Sequence, residues 1–247
     1  MIVVDAVWEK RNLGVTCTEF KVESGDTIEA VKSALSESEQ EYNVLKLPAG
    51  EPGLLFEIAE LGYKFIETSI NVTHDLKEVN LTGVQKRMLD SAEYTLMDES
   101  DVELLFSEIR KNIFVTDRIY IDPHFMPEQA ANRYVGWITD EMQRGAEIFN
   151  LIYKNERIGF FTFKKISDGV YFPFLAGIYT DYAKWGMGMN LLYKTIVEAR
   201  KRKAKMISTY ISTNNKSVVN THLALNYKFN EFSYVFVKHA DICSLSI

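Results

Sequence analysis

The sequence has few of the residues that cross-link a chain or bind metal ions. It contains 2 cysteines and 4 histidines among 247 residues. Cys17 and Cys243 lie far apart and show neither metal-ligand spacing nor a disulfide framework, so we expect free thiols. Its histidines, cysteines and carboxylates form no cluster with the spacing of a zinc site, and no catalytic metal is predicted.

An excess of positive charge and a long apolar run are missing as well. The net charge is -6 and the isoelectric point is about 5.4, which opposes binding to nucleic acid or to anionic membranes. No apolar run approaches the roughly 20 residues that cross a bilayer, and the start "MIVVDAVWEK" does not look like a secretion signal. We therefore expect a cytoplasmic protein without nucleic-acid or membrane partners.

What the chain does have is a large apolar fraction and alternating strand and helix patterns. With 47% hydrophobic residues it can bury a core. Patterns typical of strands and helices alternate, which predicts an α/β fold with a mixed sheet covered by helices. A helix is predicted to begin near Thr27, another near Pro127, and a hairpin is predicted to turn at Asn155–Glu156. Polar residues 76–92 are the predicted linker between domains 1–85 and 93–247.

Two helix-to-strand junctions have similar sequences. "LGYKFIETSI" at 61–70 and "LNYKFNEFSY" at 225–234 agree at six of ten positions. Such a match can arise by chance or from similar packing needs. It also fits an N-terminal region that is a reduced copy of the C-terminal fold.

The stretch "DYAKWGMGMN", residues 181–190, places two glycines one residue apart between a strand pattern and a helix pattern. Glycines at such a point let the backbone approach a ligand and direct several N–H groups at a phosphate. Ordinary tight turns and helix starts use glycines in the same way. The pattern by itself leaves both interpretations open.

From about Tyr94 onward, the order of elements and two motifs resemble the GNAT superfamily of acyl-CoA-dependent N-acetyltransferases. "AKWGMG", residues 183–188, stands where that family has its Arg/Gln-x-x-Gly-x-Gly/Ala loop for the coenzyme A pyrophosphate. Ala183 departs from the pattern, and Lys184 is a partial substitute. The resemblance implies a mixed, mostly antiparallel sheet flanked by helices. It also implies acetyl-CoA as the cofactor, bound by Leu175, Ala176, Ile178, Lys184, Trp185, Gly186, Met187, Gly188, Met189 and Asn215.

The same resemblance implies candidates for proton transfer. The family has an Asn followed seven residues later by a Tyr that protonates the departing thiolate, and this frame contains Asn215 and His222 here. His222 is thus the predicted general acid, with packing against the apolar side of its helix as the alternative. Tyr179, Asp181 or a carboxylate acting through water would remove a proton from the substrate ammonium.

Across nearly the whole chain, the layout also resembles the TDP-fucosamine acetyltransferases, which acetylate nucleotide-linked amino sugars. This implies direct acetyl transfer to the primary amine of a small molecule. A homodimer is left open, as are a peptide or metabolite amine as acceptor, a noncatalytic acyl-CoA-binding or sensing module, and a structural or interaction protein. The implied substrate residues of the middle segment are Asp117, Arg118, Tyr120, Asp122, His124 and Arg133.

Overall fold

The computed structural model describes residues 1–240, so Cys243 lies outside the described residues. The chain forms two compact units, one made of Met1–Ile70 with the segment from Glu231 onward, and the other of Asn71–Asn230. This division differs from the boundary predicted between residues 85 and 93. The reason is that the last strand of the chain pairs within the first unit, which local sequence patterns do not reveal.

Among the described residues, the first unit is a sheet with three helices. Its elements in chain order are β1 (Ile2–Asp5), α1 (Trp8–Leu13), β2 (Cys17–Lys21), α2 (Ile28–Ser36), β3 (Tyr42–Pro48), α3 (Pro52–Glu60), the start of β4 (Lys64–His74) and most of β11 (Lys228–His239). The strand order is β1-β2-β3-β11-β4. β2 and β3 are parallel, whereas β1 with β2 and β3 with β11 are antiparallel. Leu45, Ile58 and Phe236 belong to its buried core.

The second unit carries the remaining elements. They are α4 (Gly83–Asp90), β5 (Glu93–Leu96), α5 (Glu99–Ile109), α6 (Arg118–Ile121), α7 (Pro127–Gln143), β6 (Glu147–Tyr153), β7 (Glu156–Ser167), β8 (Val170–Phe172), β9 (Ala176–Ile178), a 3-10 helix (Thr180–Trp185), α8 (Gly188–Lys201), β10 (Met206–Ser212) and α9 (Lys216–Ala224). The strand order is β4-β10-β8-β7-β6-β5, with β9 paired to β7.

Helices cover both faces of the second unit's sheet. On β7, Phe160 packs with Leu105 of α5 and Ile138 of α7. Phe163, three residues further along the strand, faces the opposite side, where the guanidinium of Arg202 at the end of α8 lies over its ring. The predicted fold class, a mixed and mostly antiparallel sheet flanked by helices, is confirmed.

Two local predictions need correction. Residues 83–90 of the predicted linker form helix α4, because Thr82 and Gln85 make a capping box and Leu89 is buried. The hairpin between β6 and β7 turns at Lys154–Asn155, one residue before the predicted position, and both residues have positive φ angles. The predicted helix starts at Thr27 and near Pro127 are correct.

The two similar junctions adopt the same hydrogen-bonded turn. Gly62 and Asn226 both have left-handed backbone angles, with φ of 82° and 61°. The Tyr63 N–H donates to Ile58 O at 3.2 Å, and the Tyr227 N–H donates to His222 O at 3.0 Å. Asn takes the left-handed conformation more readily than most side chains, so it can stand where the other junction has glycine.

Candidate functional site

Strand β9 separates from strand β10 in the second unit. β8 pairs in parallel with β10 at Val170 and Tyr171, but within residues 1–240 the next strand, β9, has no ladder with β10 and pairs with β7 instead. Pro173 lies between β8 and β9 and has no N–H to donate. The Thr209 hydroxyl donates to Pro173 O at 2.9 Å. Beyond this bond, β9 and β10 are not paired, and we call the opening between them the strand gap.

The backbone of β9 presents polar groups to the strand gap. The Thr162 N–H donates to Leu175 O, and the Tyr179 N–H donates to Ile158 O, both at 2.9 Å. Since groups that face one neighbour alternate along a strand, Ala176 and Ile178 direct their N–H and C=O groups to the gap side. The structure thus places these two predicted cofactor residues at the gap, whereas the Leu175 backbone is bonded to Thr162.

The glycine loop lies directly before α8. Gly186 has a left-handed φ of 71°, and Gly188 is the first residue of the helix. Met187 at the helix start makes no side-chain capping bond. A Cβ atom built on Gly186 or Gly188 meets nothing within 4 Å. Open space therefore adjoins N–H groups at the positive end of a 14-residue helix, which suits an anion.

The other loop residues divide into exposed and packed side chains. Lys184 is exposed, and Trp185 is 47% exposed with its ring 4.9 Å from that of Tyr182. Met187 is buried and Met189 is half-buried. Lys184 and Trp185 are thus available to a ligand at the loop, whereas Met187 has a packing role.

The two predicted proton acceptors differ in their surroundings. Tyr179 is 2% exposed, and burial raises the pKa of its phenol, with the charges of Glu108 and Asp101 acting in the same direction. Its hydroxyl therefore keeps its proton near neutral pH and cannot serve as a base there. Asp181 is exposed in the first turn of the 3-10 helix and is free to meet solvent.

A buried carboxylate near Tyr179 was not among the predicted site residues. Glu108 is 7% exposed and accepts a hydrogen bond from Lys111 Nζ at 2.6 Å through Oε1. Within the described part of the chain its Oε2 is buried without a hydrogen-bond partner. Asp101 and Glu108 lie seven residues apart on the same side of α5 as buried Leu105. Their position on the apolar face of a helix is the sequence signal that points to these two carboxylates.

The surroundings of His222 favour its packing role. It is 5% exposed, its Nδ1 lies 2.8 Å from Val218 O, and its ring centroid lies 4.6 Å from that of Tyr227. Burial lowers its pKa to about 4. Near neutral pH the ring is uncharged, and a carbonyl partner keeps the single proton on Nδ1, so Nε2 has no proton to donate. Asn215 caps α9 by accepting from the Val218 N–H at 3.0 Å.

Two of the predicted substrate carboxylates are engaged locally. Asp117 accepts hydrogen bonds from the Ile119 N–H at 2.8 Å and from the Tyr134 hydroxyl at 2.7 Å. Buried Asp122 lies 3.0 Å from both the backbone N and the Nδ1 of His124. These contacts hold the two ends of α6 in shape.

The other predicted substrate residues lie on α6 and α7. Arg118 is buried at the start of α6, Tyr120 is half-buried on the same helix, and Arg133 is half-buried on α7. A segment before α6 lies beside β9. A Cβ atom on Gly177 would lie 3.1 Å from Ile113 Cδ1 and 3.3 Å from Phe114 Cε1, so the segment between α5 and α6 covers this strand.

Comparisons with known proteins give the fold. No protein-family model matches the sequence, and no curated protein does. A functionally unknown conserved protein from Staphylococcus epidermidis is 11% identical with a TM-score of 0.61, over 92% of this chain and 85% of that one. A GCN5-related N-acetyltransferase from Sphaerobacter thermophilus is 9% identical with a TM-score of 0.57, over 85% and 64%.

A third similar structure is a tandem GNAT protein from the clavulanic acid biosynthesis pathway. It is 10% identical with a TM-score of 0.54, over 92% of this chain and 78% of that one. The chain therefore has the fold of GCN5-related N-acetyltransferases, and the likeness extends over nearly all of it. Within residues 1–240, no helix has both the length and the apolar character needed to cross a membrane.

Proposed function

We propose that the protein is an acetyl-CoA-dependent N-acetyltransferase. The observation that carries the proposal is the strand gap beside β9, followed directly by the uncapped start of α8 with its two open glycines. A strand edge with free amide groups and a helix N-terminus together match a ligand that has peptide-like amides at one end and a pyrophosphate at the other. The GNAT-type fold supports the same assignment.

The chain's residues fit coenzyme A in two places. The backbone of Ala176 and Ile178 would pair with the pantetheine amides, and the N–H groups around Gly186 and Gly188 would hold the pyrophosphate. Bound acetyl-CoA would supply the acetyl thioester. A polar backbone edge inside a narrow gap also provides fixed donors for charge that develops on a carbonyl oxygen.

Positioning is the main contribution expected from the protein. The acceptor amine would attack the acetyl group directly, without a covalent enzyme intermediate, because a held pair of reactants avoids the entropy cost of encounter. Near neutral pH, His222 Nε2 carries no proton to donate, and the Tyr179 hydroxyl keeps its own proton and cannot accept one. Solvent is therefore the proton donor for the leaving thiolate, while Asp181 or water takes the ammonium proton.

The acceptor proposed is a primary amine on a nucleotide-linked amino sugar. The layout of the chain supports it by resemblance, and the cations Arg118 and Arg133 on neighbouring helices α6 and α7 could take phosphate groups. A cytoplasmic location and a second copy of the chain as partner stay predictions. A peptide or metabolite amine as acceptor is the alternative within the same reaction.

A noncatalytic acyl-CoA-binding or sensing module is the second candidate function. The observation that favours it is the protonation state of His222, which leaves the usual position of the family's acid without a transferable proton near neutral pH. Such a module would bind acetyl-CoA at the same loop and turn over nothing.

Thermal shift with acetyl-CoA and with coenzyme A tests the binding step. At 100 times the dissociation constant, a ligand stabilises the folded state by about 2.7 kcal/mol. Gly188→Val should remove this gain by filling the open space at the start of α8. Gly83→Val is the matched control, because Gly83 also begins a helix and its Cβ also meets nothing within 4 Å. Equal responses of both variants would refute the loop assignment.

Release of free thiol from acetyl-CoA with a panel of amines separates the two candidates. The panel should contain TDP-linked 4-amino-4,6-dideoxyhexoses, simple alkyl amines and peptides with free N-termini. An enzyme releases thiol with at least one amine, whereas a sensing module shows coenzyme binding and no release. Arg118→Ala and Arg133→Ala should raise the KM for the nucleotide sugar and leave the KM for acetyl-CoA unchanged.

A further inference from the structure

A chain of amide and hydroxyl side chains runs across one face of the second unit's sheet. Asn71 Nδ2 donates to Ser208 Oγ at 3.2 Å and to Thr209 O at 3.4 Å. Asn230 Nδ2 donates to Asn71 Oδ1 and to Thr73 Oγ1, both at 3.1 Å. These bonds connect strands β4, β10 and β11 and fix the orientation of each side chain.

The same bonds leave groups that can reach a ligand. A hydroxyl that accepts a hydrogen bond keeps its own proton to donate, so Ser208 and Thr73 each retain an O–H donor. Tyr210, two residues after Ser208 on β10, is 59% exposed and adds a flat ring with another hydroxyl. Together, Asn71, Thr73, Ser208, Tyr210 and Asn230 form what we call the amide–hydroxyl surface.

This surface adjoins the closed end of the strand gap. Between Ser208 and Tyr210 on β10 stands Thr209, whose hydroxyl bonds Pro173 O at the point where the gap begins. Successive side chains of a strand point to opposite faces, so Ser208 and Tyr210 share one face and Thr209 has the other. A ligand on the amide–hydroxyl surface would therefore lie beside the closed end of the gap.

The face can be identified from the pairing of β8 with β10. Ile207 lies opposite Tyr171, whose ring stacks on Phe163 at 4.7 Å on the side of α8. Ser208 and Tyr210 therefore lie on the opposite side, which is the side of α5 and α7. The segment that covers Gly177 with Ile113 and Phe114 lies on that side as well.

Two lysines and one aspartate lie close in sequence to residues of the amide–hydroxyl surface and interact with one another. Asp75 Oδ2 lies 3.0 Å from Lys77 Nζ and 3.5 Å from Lys228 Nζ. The hydrogen bond from Lys77 is the main cause that lowers the pKa of Asp75 to about 2. The five residues of the surface are themselves uncharged. They offer directional hydrogen bonds, which suit the neutral, hydroxyl-bearing part of a ligand.

We propose that the amide–hydroxyl surface binds the hydroxyl-bearing ring of the acceptor, so that the acceptor is a sugar-like amine. A sugar ring has hydroxyl groups at its edge, which match the Ser208, Thr73 and Asn230 groups, and C–H groups on its faces, which match the exposed ring of Tyr210. The inference rests on the proposed function, because the bound sugar is an acceptor only if the protein transfers acetyl groups. Binding of the sugar can nevertheless be measured without turnover.

Saturation-transfer NMR tests binding directly. The probes are a methyl 4-amino-4,6-dideoxyhexoside and cyclohexylamine, which share a six-membered ring and a primary amine and differ in the ring's oxygen groups. The parent should bind the amino sugar at least tenfold more tightly than cyclohexylamine. Tyr210→Phe should weaken the sugar about three- to tenfold, the effect of one lost hydrogen bond. Asn71→Ala should weaken it at least as much, because it releases Ser208 and Asn230 from their fixed orientations, and both variants should leave cyclohexylamine unchanged.

Asn220→Ala is the matched control, because Asn220 is an exposed amide on α9 outside the surface. Equal affinity for the two probes, or equal effects of Asn71→Ala and Asn220→Ala, would overturn the inference. Since Asn71→Ala removes three internal hydrogen bonds, Tyr210→Phe serves as the variant that leaves the network intact.

Turnover separates failure of this inference from failure of the proposed function. The ratio of kcat/KM for the amino sugar to that for cyclohexylamine should fall about three- to tenfold in Tyr210→Phe, with thermal stabilisation by acetyl-CoA unchanged. Acetylation with an unchanged ratio would overturn the inference and leave the acetyltransferase standing. Sugar binding at the surface without any coenzyme binding would overturn the proposed function instead.

Discussion

The two units each contain a strand-helix-strand-helix sequence, and the two versions differ where a ligand would enter. In the first unit, β2 pairs with β3 along its whole length, from Cys17 to Lys21, and the Thr27 hydroxyl caps α2 by accepting from the Ala30 N–H at 3.2 Å. In the second unit, β9 leaves β10 and the start of α8 has no side-chain cap. The same local architecture is closed in one unit and open in the other.

The helix that follows shows a second difference. Ile58 and His222 each accept, through the backbone carbonyl, the N–H of the Tyr five residues later. Ile58 is 1% exposed in an apolar cluster, and His222 is 5% exposed with one ring nitrogen on Val218 O. The comparison shows that the position is a core position, and that an imidazole there must be neutral to be buried.

The largest effect on stability is expected in the first unit, where β2 and β3 are fully paired. Ile58→Ala should lower the free energy of unfolding by about 2–5 kcal/mol, because it removes a fully buried side chain and leaves a cavity. Urea denaturation measures the change. Thermal stabilisation by acetyl-CoA at saturating concentration should be retained. A loss below about 1 kcal/mol would mean that this helix contributes little to the core.

The next largest effect is the pH dependence of stability that His222 contributes in the second unit. Its folded pKa of about 4 lies below the ordinary value of 6.5, so the unfolded chain binds the proton more readily. The free energy of unfolding should therefore fall as the pH is lowered from about 6.5 to about 4, by up to about 3 kcal/mol at 1.36 kcal/mol per pKa unit.

His222→Ile, which installs the residue of the closed version, should lack this part of the pH dependence. Burial also lowers the pKa of His74, but His74 is present in both proteins, so the difference between their denaturation curves isolates His222. Turnover at neutral pH should stay within about threefold of the parent. A fall of 10²-fold or more would restore His222 as the general acid.

Removal of the N-terminal cap of α2 in the first unit should have a smaller effect on stability. Thr27→Ala should lower stability by about 1 kcal/mol, since the Ala30 N–H loses its acceptor at the start of α2. Thr27→Ser, which keeps the hydroxyl, is the control and should stay close to the parent. The same stability for all three proteins would show that the hydrogen bond adds nothing.

The smallest change in stability is expected from a negative charge at the uncapped start of α8. Gly188→Asp should stabilise the coenzyme-free protein by about 0.3–1 kcal/mol, because an acid in the first turn complements the helix dipole. The same charge should repel a pyrophosphate and abolish stabilisation by acetyl-CoA. Gly188→Asn is the uncharged control. Retained coenzyme binding by the aspartate variant would contradict a phosphate site at this loop.

Prediction from the sequence succeeded where the signal was local. The helix starts at Thr27 and near Pro127 and the glycines at the start of α8 each depend on a few neighbouring residues. The polar segment 76–92 was misjudged because only Leu89 of α4 is fully buried, and a single apolar contact leaves little periodic signal.

The sequence by itself therefore determined the fold class, the positions of most helices and strands, and the glycine loop, because short-range hydrogen bonding and periodic burial set these features. The tertiary structure decided which strands pair, where β9 leaves β10, and which polar side chains of β4, β10 and β11 meet. It also decided that His222 is buried and neutral. The contact of Asn71 with Ser208 joins residues more than 100 positions apart, and only packing brings such residues together.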